Sequence, residues 1–352
     1  MQQLANLVKV METPFQGRDD FQITLLRVLE SVAEERLVIL ESRNIFIGEI
    51  LPDERGSEAL KSISNVHFLP LYPTFIEDED PIPMYAQKLL VMLIEYDYIK
   101  ISDILHLKTV SQCFEFLLGD LSSANVNNVQ LCLAMASAPE MESKLLSQLK
   151  VARRIGNLLE FVYAKDMEDF LEPTLGLCRA FLLCSVGSKR GLAYKIEPAL
   201  LNDSSSEAST AADQLQCIRD IADFGSNVGV LLALSGSDEA NVADIASECV
   251  LLVLKAAPRE ATTGFLTNLP KVSAILESRR RGVPCLLLQR ILHALAYSCR
   301  QYLSHAMILS IAVNEISRIE VILSELKNPS TPDLANAVLL VVSELQRLHR
   351  CI

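Results

Sequence analysis

A Leu-, Ala- and Cys-rich helical phrase occurs six times along this chain of 352 residues. Successive copies start 42 to 46 residues apart, except for one gap of 71 residues that contains a Ser-rich segment. The copies are Met84–Leu93, Asn128–Ser137, Pro173–Cys184, Asp244–Leu254, Leu286–Cys299 and Pro332–Leu345. A period of about 40 to 47 residues is typical of armadillo and HEAT repeats, whose units must stack to bury their apolar faces. The pattern therefore predicts an all-α fold, an α-solenoid of armadillo/HEAT-like helical repeats.

The amino-acid composition agrees with close-packed helices, and the net charge disfavours nucleic acid as a partner. Of the residues, 50% are hydrophobic, only 6% are aromatic and none is Trp, as expected for small aliphatic ridges between helices. The formal net charge of -12 argues against a general nucleic-acid binder, because phosphate recognition depends on clustered Lys and Arg. We therefore expect protein partners and no nucleic acid.

Cysteine usage and the N-terminal residues indicate a reducing compartment. The nine cysteines are an odd number, lie mostly in apolar helical stretches, and include no Cys-x-x-Cys pair that could hold zinc. Residues 1–12 carry no signal pattern, and the apolar runs are far shorter than the roughly 20 residues of a membrane span. We expect a soluble cytoplasmic chain with cysteines in its core, no metal, no cofactor and no membrane contact.

Composition shifts divide the chain into five predicted segments. Residues 1–52 hold the N-terminal helices of the array, and residues 53–80 form a loop-rich, Pro-punctuated connection. Residues 81–201 form armadillo-like repeats, 202–210 a mobile Ser-rich loop, and 211–352 the C-terminal armadillo/HEAT-like repeats.

Helix boundaries in the first repeats follow from capping residues and apolar periodicity. Asp80-Pro81 predicts a helix start, and Asp97–Leu107 and Thr109–Leu118 predict two further helices. Gly119 is placed to end the second of them.

Asp223-Phe224-Gly225 spells the tripeptide that holds Mg²⁺ in protein kinases. A kinase also needs a Gly-rich phosphate loop, a strand Lys and a His-Arg-Asp loop, and no Gly-x-Gly-x-x-Gly occurs in this chain. The five histidines are scattered, and no set of nucleophile, base and orienting group can be assembled. We therefore predict no enzymatic activity and interpret the tripeptide as a helix end with Gly225 in the left-handed conformation.

Two groups of three cations are candidate partner-binding sites. They are Lys150, Arg153, Arg154, Arg279, Arg280 and Arg281. In one interpretation these cations stay solvated and complement a helix dipole. In the other they contact an acidic partner such as a tubulin tail at short range, where salt screens the repulsion from the net negative charge.

Several longer stretches carry a resemblance to a known family. They are Asp19–Glu30, Gly48–Pro52, Leu60–Asn65, Asp78–Lys88 and Leu345–Leu348. These stretches resemble the armadillo/HEAT-repeat region of the RUNKEL family, plant relatives of the ULK-type kinases and pseudokinases. The resemblance covers nearly the whole chain and places it in the C-terminal part of the repeats, without the kinase-like domain.

This resemblance implies a non-enzymatic scaffold for protein–protein interaction in microtubule organisation during cytokinesis, at the phragmoplast that builds the cell plate. It also implies association with the cytoskeleton and partners such as microtubules or a kinesin. The alternative is a regulatory peptide-binding module that engages a kinase-like domain or a kinesin without contacting microtubules. A basic groove favours the first function, and an Asn-lined apolar groove favours the second.

The sequence departs from the family pattern directly after Pro52. Polar residues 53–58 follow where the resemblance implies further apolar helix. Leu25 and Leu89 are 64 residues apart, which is more than one period and less than two. We hypothesise that part of a repeat is missing at this junction, so that the N-terminal segment 1–52 contains a truncated repeat.

Overall fold

The computed structural model describes residues 20–31, 54–79, 81–141, 151–185, 223–278, 284–304, 311–325 and 331–351, with 6, 17 and 146 as single positions. All regular secondary structure within these ranges is helical. The chain divides into unit 1, Met1–Met141, and unit 2, Glu142–Ile352. The all-α architecture predicted from the repeat period is confirmed.

Unit 1 contains six described α-helices with short turns of other helix types between them. The α-helices are α1 (20–31), α2 (Glu54–Ile63), α3 (Leu69–Ile76), α4 (Ile82–Glu95), α5 (Leu107–Gly119) and α6 (Val126–Ser137). A π-helical turn, Ser64–Phe68, joins α2 to α3, and the 3₁₀ helices are Ile101–Ile104 and Leu121–Ser123.

Unit 2 contains nine described α-helices. They are α7 (Ala152–Ala164), α8 (Glu168–Ser185), α9 (Val228–Ser235), α10 (Ala240–Ala256), α11 (Pro258–Thr267), α12 (Leu269–Glu277), α13 (Cys285–Ser304), α14 (Val313–Glu325) and α15 (Pro332–His349). A 3₁₀ helix, Asp223–Asn227, leads into α9.

Within each unit, the α-helices other than α2 and α11 pack in two rows. The first, called the A row, consists of α1, α4 and α6 in unit 1 and of α8, α10, α13 and α15 in unit 2. The second, the B row, consists of α3 and α5 in unit 1 and of α7, α9, α12 and α14 in unit 2. All six copies of the repeated phrase lie on A-row helices, so the sequence period corresponds to a structural repeat.

The core lies between the two rows. Helix α10 illustrates this core, because its Val250, Leu251 and Val253 side chains are fully buried and neighbouring helices pack on both sides of it. Complete burial of one such aliphatic side chain contributes about 1.5–3 kcal/mol. A helix that is apolar on most of its surface is stable only inside a stack, which is why the phrase recurs at every repeat.

The prediction of a loop-rich connection over residues 53–80 is wrong for most of that segment. Residues 54–76 are continuously helical, and Leu60, Ile63, Phe68 and Tyr72 are buried at spacings of three to five residues. Pro70 has no backbone N–H to donate within this continuous helix, and the π-helical turn just before it shifts the helical register. The prolines therefore adjust the helix here and do not end it.

Two further boundary predictions have different outcomes. The helix expected over Asp97–Leu107 is only a 3₁₀ turn, because Asp97 adopts a left-handed backbone with φ 59° directly after α4. Helix α5 ends at Gly119 as predicted. Asp80 lies outside the described residues, and Pro81 occupies the N-cap position of α4.

Close backbone contacts join the B-row helices of unit 2. The Asn227 side chain donates hydrogen bonds to the Gly156 carbonyl of α7 at 3.1 Å and to the Glu160 carboxylate at 2.8 Å. A Cβ atom on Gly156 would overlap Asn227 Oδ1. Gly229 of α9 lies close to the Asn268 side chain, 3.1 Å from an added Cβ, and its carbonyl accepts a 2.6 Å hydrogen bond from Lys271 Nζ. We call these contacts the glycine seam.

Asp223-Phe224-Gly225 belongs to this packing. Phe224 is fully buried and stacks on Phe181 with ring centroids 5.9 Å apart. Gly225 does not have the predicted left-handed backbone; it lies in a 3₁₀ helix, where an added Cβ would be 2.6 Å from Glu260 Cβ. The glycine is needed for close approach of helices, and the tripeptide has a structural explanation without any metal.

Candidate protein-interaction site

The A row of unit 2 presents an exposed face made of one stripe from each helix. Contacts between neighbouring helices join equivalent positions, since Arg290 of α13 reaches Asp244 of α10 and Arg300 of α13 reaches Glu344 of α15. Cys285 near the start of α13 also lies 3.4 Å from the Thr331 hydroxyl at the start of α15. The helices therefore lie side by side in parallel, as stacked repeats require.

Arginine–carboxylate pairs connect these helices across the exposed face. Arg179 Nη1 of α8 lies 3.5 Å from Glu248 Oε2 of α10. Arg290 Nη1 of α13 donates to the Asp244 carboxylate at 2.7 Å and to the Asp244 carbonyl at 2.9 Å. The pairs couple each repeat to the next and fix the register between adjacent helices.

The last pair is a three-residue cluster. Glu344 of α15 accepts a hydrogen bond of 2.9 Å from Arg300 of α13 and one of 3.0 Å from Arg347, one turn further along its own helix. The Glu344 side chain is only 3% exposed, whereas Arg300 is 35% and Arg347 58% exposed. The carboxylate thus lies at the base of the cluster and the guanidinium groups lie at the surface.

The same layering occurs at the Arg179 pair and is reversed at Arg290. Glu248 is 10% exposed beneath Arg179 at 33%, whereas Asp244 is 50% exposed above Arg290 at 12%. Arg290 lies near the start of α13, and the other arginines lie in the second halves of their helices. Toward the C-terminal ends of the A row, the outermost charges are therefore positive.

A cation occurs at an equivalent position in three of these helices. Lys255, Arg300 and Arg347 are each the sixteenth residue of α10, α13 and α15. Arg179 lies in the second half of α8. We define these four residues as the A-row basic band. Neighbouring helix axes are about 8–10 Å apart, so the band extends about 24–30 Å across four helices.

The predicted partner-binding cations do not belong to this band. Arg153 is exposed and Arg154 half-buried on α7, in the B row. Lys150, Arg279, Arg280 and Arg281 lie outside the described residues, as does the predicted Ser-rich loop 202–210. Sequence reasoning missed the band because it searched for adjacent cations, whereas the band contains one cation per repeat.

The cysteines have the chemistry of core residues. Cys132, Cys178, Cys249 and Cys299 are fully buried on A-row helices, and burial raises the pKa of the Cys178 and Cys299 thiols to about 12. Burial likewise raises the pKa of Cys113 of α5, to about 12. Such thiols are poor nucleophiles at neutral pH. Within the described ranges no group of three or more His, Cys, Asp or Glu side chains could hold a metal ion.

Unit 1 connects its A-row helices differently. The Asn125 amide, just before α6, donates to Gln87 Oε1 of α4 at 2.8 Å. At the other side of α4, Arg27 lies over the Tyr85 ring at 5.9 Å, and Lys88 forms an ion pair with Glu30. One amide contact and one lysine–glutamate pair thus join the A-row helices of unit 1, in place of the arginine–carboxylate pairs of unit 2.

None of the helices among the described residues is long and apolar enough to cross a bilayer.

Comparison with known proteins finds two repeat families. A family model described as "RUNKEL ARM-repeat domain" matches residues 108–351, and one described as "Serine/threonine-protein kinase ULK4-like, HEAT repeats" matches residues 1–54 and 53–102. "Serine/threonine-protein kinase RUNKEL" of Arabidopsis thaliana is 58% identical over 395 aligned positions, which cover 99% of this chain and 29% of that protein. The chain thus spans less than a third of that relative's length.

Among solved structures, a crystal structure of an engineered protein covers 98% of this chain and 99% of its own, at 12% identity and a TM-score of 0.27.

The alignment also bears on the junction after Pro52. It has 395 positions, more than the 352 residues of this chain, so the relative has residues without a counterpart here. The two HEAT-repeat matches meet at residues 53–54, beside that junction. The truncated repeat after Pro52 stays a hypothesis, and sequencing the transcript across Ile50 to Leu60 tests it.

Proposed function

Because this chain belongs to the RUNKEL ARM-repeat family, we propose that it is a non-enzymatic scaffold that organises microtubules during cytokinesis. Family membership is the observation that carries this proposal. Helical repeats form long surfaces whose general use is protein–protein binding, and the A-row and B-row helices of unit 2 pack in this way. In this proposal the chain works in the cytoplasm, in association with the cytoskeleton at the phragmoplast.

The exposed charges indicate how the chain would contact a microtubule. The net charge of -12 repels an acidic lattice at long range, so binding must depend on local cations at short range. Arg153 and Arg154 on the B row are candidates, as are Lys150 and Arg279–Arg281. These six residues remain proposed contacts.

Microtubule co-sedimentation of the purified chain at two salt concentrations tests this function. We expect pelleting at low salt that decreases at high salt, and loss of pelleting when either Lys150, Arg153 and Arg154 or Arg279, Arg280 and Arg281 are changed to Glu. If the folded chain stays in the supernatant at low salt, direct microtubule binding is excluded.

A second candidate function is a regulatory peptide-binding module that engages a kinase-like domain or a kinesin without contacting microtubules. The observation that favours it is the name of the relative, a serine/threonine-protein kinase more than three times as long as this chain. A pull-down of that relative's N-terminal region or of a kinesin by this chain, combined with absence from the microtubule pellet, distinguishes the two functions.

A further inference from the structure

We propose that the A-row basic band of unit 2 is the docking surface for an extended acidic segment of a partner protein. The inference rests on the proposed scaffold function and specifies the chemistry of its partner. Its starting point is that Arg179, Lys255, Arg300 and Arg347 lie across four adjacent parallel helices, one residue from each.

Charge layering makes the band attractive to carboxylates. The acidic residues that pair with it, Glu248 and Glu344, are almost completely covered, so they neutralise the arginines from below and are not presented to a partner. Lys255 is exposed and has no ion pair with any described residue. The band therefore presents cations outward in a chain whose overall charge is -12.

The arginines of the band have N–H donors that their pairs with Glu248 and Glu344 leave available to a partner. A guanidinium has five N–H donors, and the single contact of Arg179 with Glu248 is at 3.5 Å, the long limit for a hydrogen bond. Arg347, at 58% exposure, shares Glu344 with Arg300. A partner carboxylate can therefore bind to the outer edges of these arginines while the inner edges keep their structural pairs.

The length of the band defines the form of the occupant. A distance of about 24–30 Å corresponds to about seven to nine residues of extended chain. The cations recur once per helix, about 8–10 Å apart. In an extended segment of polyproline II conformation, side chains three residues apart point the same way at a separation of about 9 Å, so carboxylates at that spacing would face successive helices. An extended segment crossing the A row fits this spacing, whereas a globular acidic surface would have to match four separate points at once.

Helix-dipole stabilisation is the simpler explanation for cations near helix C-termini. It accounts for Lys255 and Arg347, which lie in the last turns of α10 and α15. It does not account for Arg179, which lies more than a turn before the end of α8. Nor does dipole stabilisation require the burial of Glu248 and Glu344 beneath the arginines.

Binding of a labelled, Glu-rich peptide of about nine residues to the full chain tests the proposal, with fluorescence anisotropy as the readout at low and moderate salt. The test variant is Lys255→Gln/Arg347→Gln. The matched control is Lys165→Gln/Arg259→Gln, which removes the same charge from exposed residues at the C-cap of α7 and in α11, outside the A row and outside the proposed microtubule contacts. Far-UV circular dichroism and the unfolding midpoint verify that both variants fold.

We expect the test variant to weaken peptide binding about tenfold, since two charge-assisted contacts are lost, and the control to change it less than about threefold. A Lys-rich peptide of the same length should not bind. The proposal is overturned if the unmodified chain fails to bind the Glu-rich peptide at low salt, or if both variants lose binding equally, because attraction to overall charge would then explain the result.

The same variants in microtubule co-sedimentation separate this inference from the proposed function. Peptide binding that depends on the band, with no pelleting of the chain, supports the inference and excludes direct microtubule binding. Pelleting without band-dependent peptide binding overturns the inference and leaves the microtubule function in place.

Discussion

In unit 2 the A row joins successive repeats through arginine–carboxylate pairs at an exposed face, whereas the B row also brings asparagine side chains close to helix glycines. The A-row pairs Arg179–Glu248 and Arg300–Glu344 have long side chains and partial access to water. The B-row contact of Asn227 with Gly156 is short and buried. The two rows therefore differ in how much change they tolerate: charged pairs can rearrange, whereas a Cβ atom at Gly156 would overlap the Asn227 side chain.

The largest expected effect comes from alkaline pH, which acts on the buried thiols beneath both rows. Thiols of the unfolded chain ionise near pH 9, whereas burial holds the folded pKa of Cys113, Cys178 and Cys299 at about 12. The contribution of these thiols to the free energy of unfolding is therefore fully present below about pH 9. It declines as the pH rises toward 12, by about 1.4 kcal/mol per thiol and pH unit.

Urea unfolding at pH 8.5 and at about pH 10.5 measures this decline, with Cys299→Ala as the comparison that isolates one A-row thiol. The variant should show a shallower pH dependence than the unmodified chain. An identical pH dependence would mean that Cys299 ionises as easily in the folded state as in the unfolded one.

Second in size is Gly156→Ala in the glycine seam. The new methyl group would displace the buried Asn227 side chain and break its hydrogen bonds, so we expect a loss of about 2–4 kcal/mol in the free energy of unfolding. Gly119→Ala is the matched control, because no atom lies within 4 Å of its Cβ position. Chemical denaturation compares the two, and similar losses would contradict the close approach at Gly156.

Arg300→Met tests the A row and should have a smaller effect. It leaves the buried Glu344 carboxylate with Arg347 as its described partner, so we expect a loss of about 1–2 kcal/mol. Arg290→Met should be milder because its partner Asp244 is half-exposed and regains water. Equal losses in urea unfolding would show that burial of the carboxylate does not determine the cost.

Arg318→Met should have the smallest effect. It tests whether the loss of stability depends on the exposure of the ion pair or on its position in the B row. Arg318 of α14 pairs with Glu277 of α12 at 2.7 Å within the B row, but both side chains are nearly half-exposed. The neighbouring carboxylate raises the pKa of Arg318, which is charged in any case at neutral pH. We expect an unfolding midpoint indistinguishable from that of the unmodified chain. A clear decrease would show that B-row position outweighs exposure.

Sequence periodicity predicted the A row because each phrase is apolar enough to require burial on several sides. It did not predict helices α2 and α3, because Pro70 and Pro73 are usually helix breakers and the π-helical turn that accommodates them has no simple sequence signal. It also assigned Gly225 to a left-handed helix end, because sequence alone does not distinguish a glycine needed for its backbone angle from one needed for close packing.

The sequence could have predicted the A-row basic band, but it could not predict which charges of the A row lie outermost. Lys255, Arg300 and Arg347 recur 45 and 47 residues apart, close to the repeat period, and comparison of equivalent positions between repeats would have found them. Which arginines lie outermost depends on the burial of Glu248 and Glu344, and that burial is set by neighbouring repeats distant in sequence.

The glycine seam also determines the mechanics of unit 2. The short Asn227 side chain has little freedom to lengthen its buried contact with Gly156, so we expect the B row to resist extension at this point. The A-row arginine side chains have several rotatable bonds and can follow a change of spacing without losing contact. A load that spreads the repeats would therefore be taken up first on the A-row side, and the array would bend about its B row.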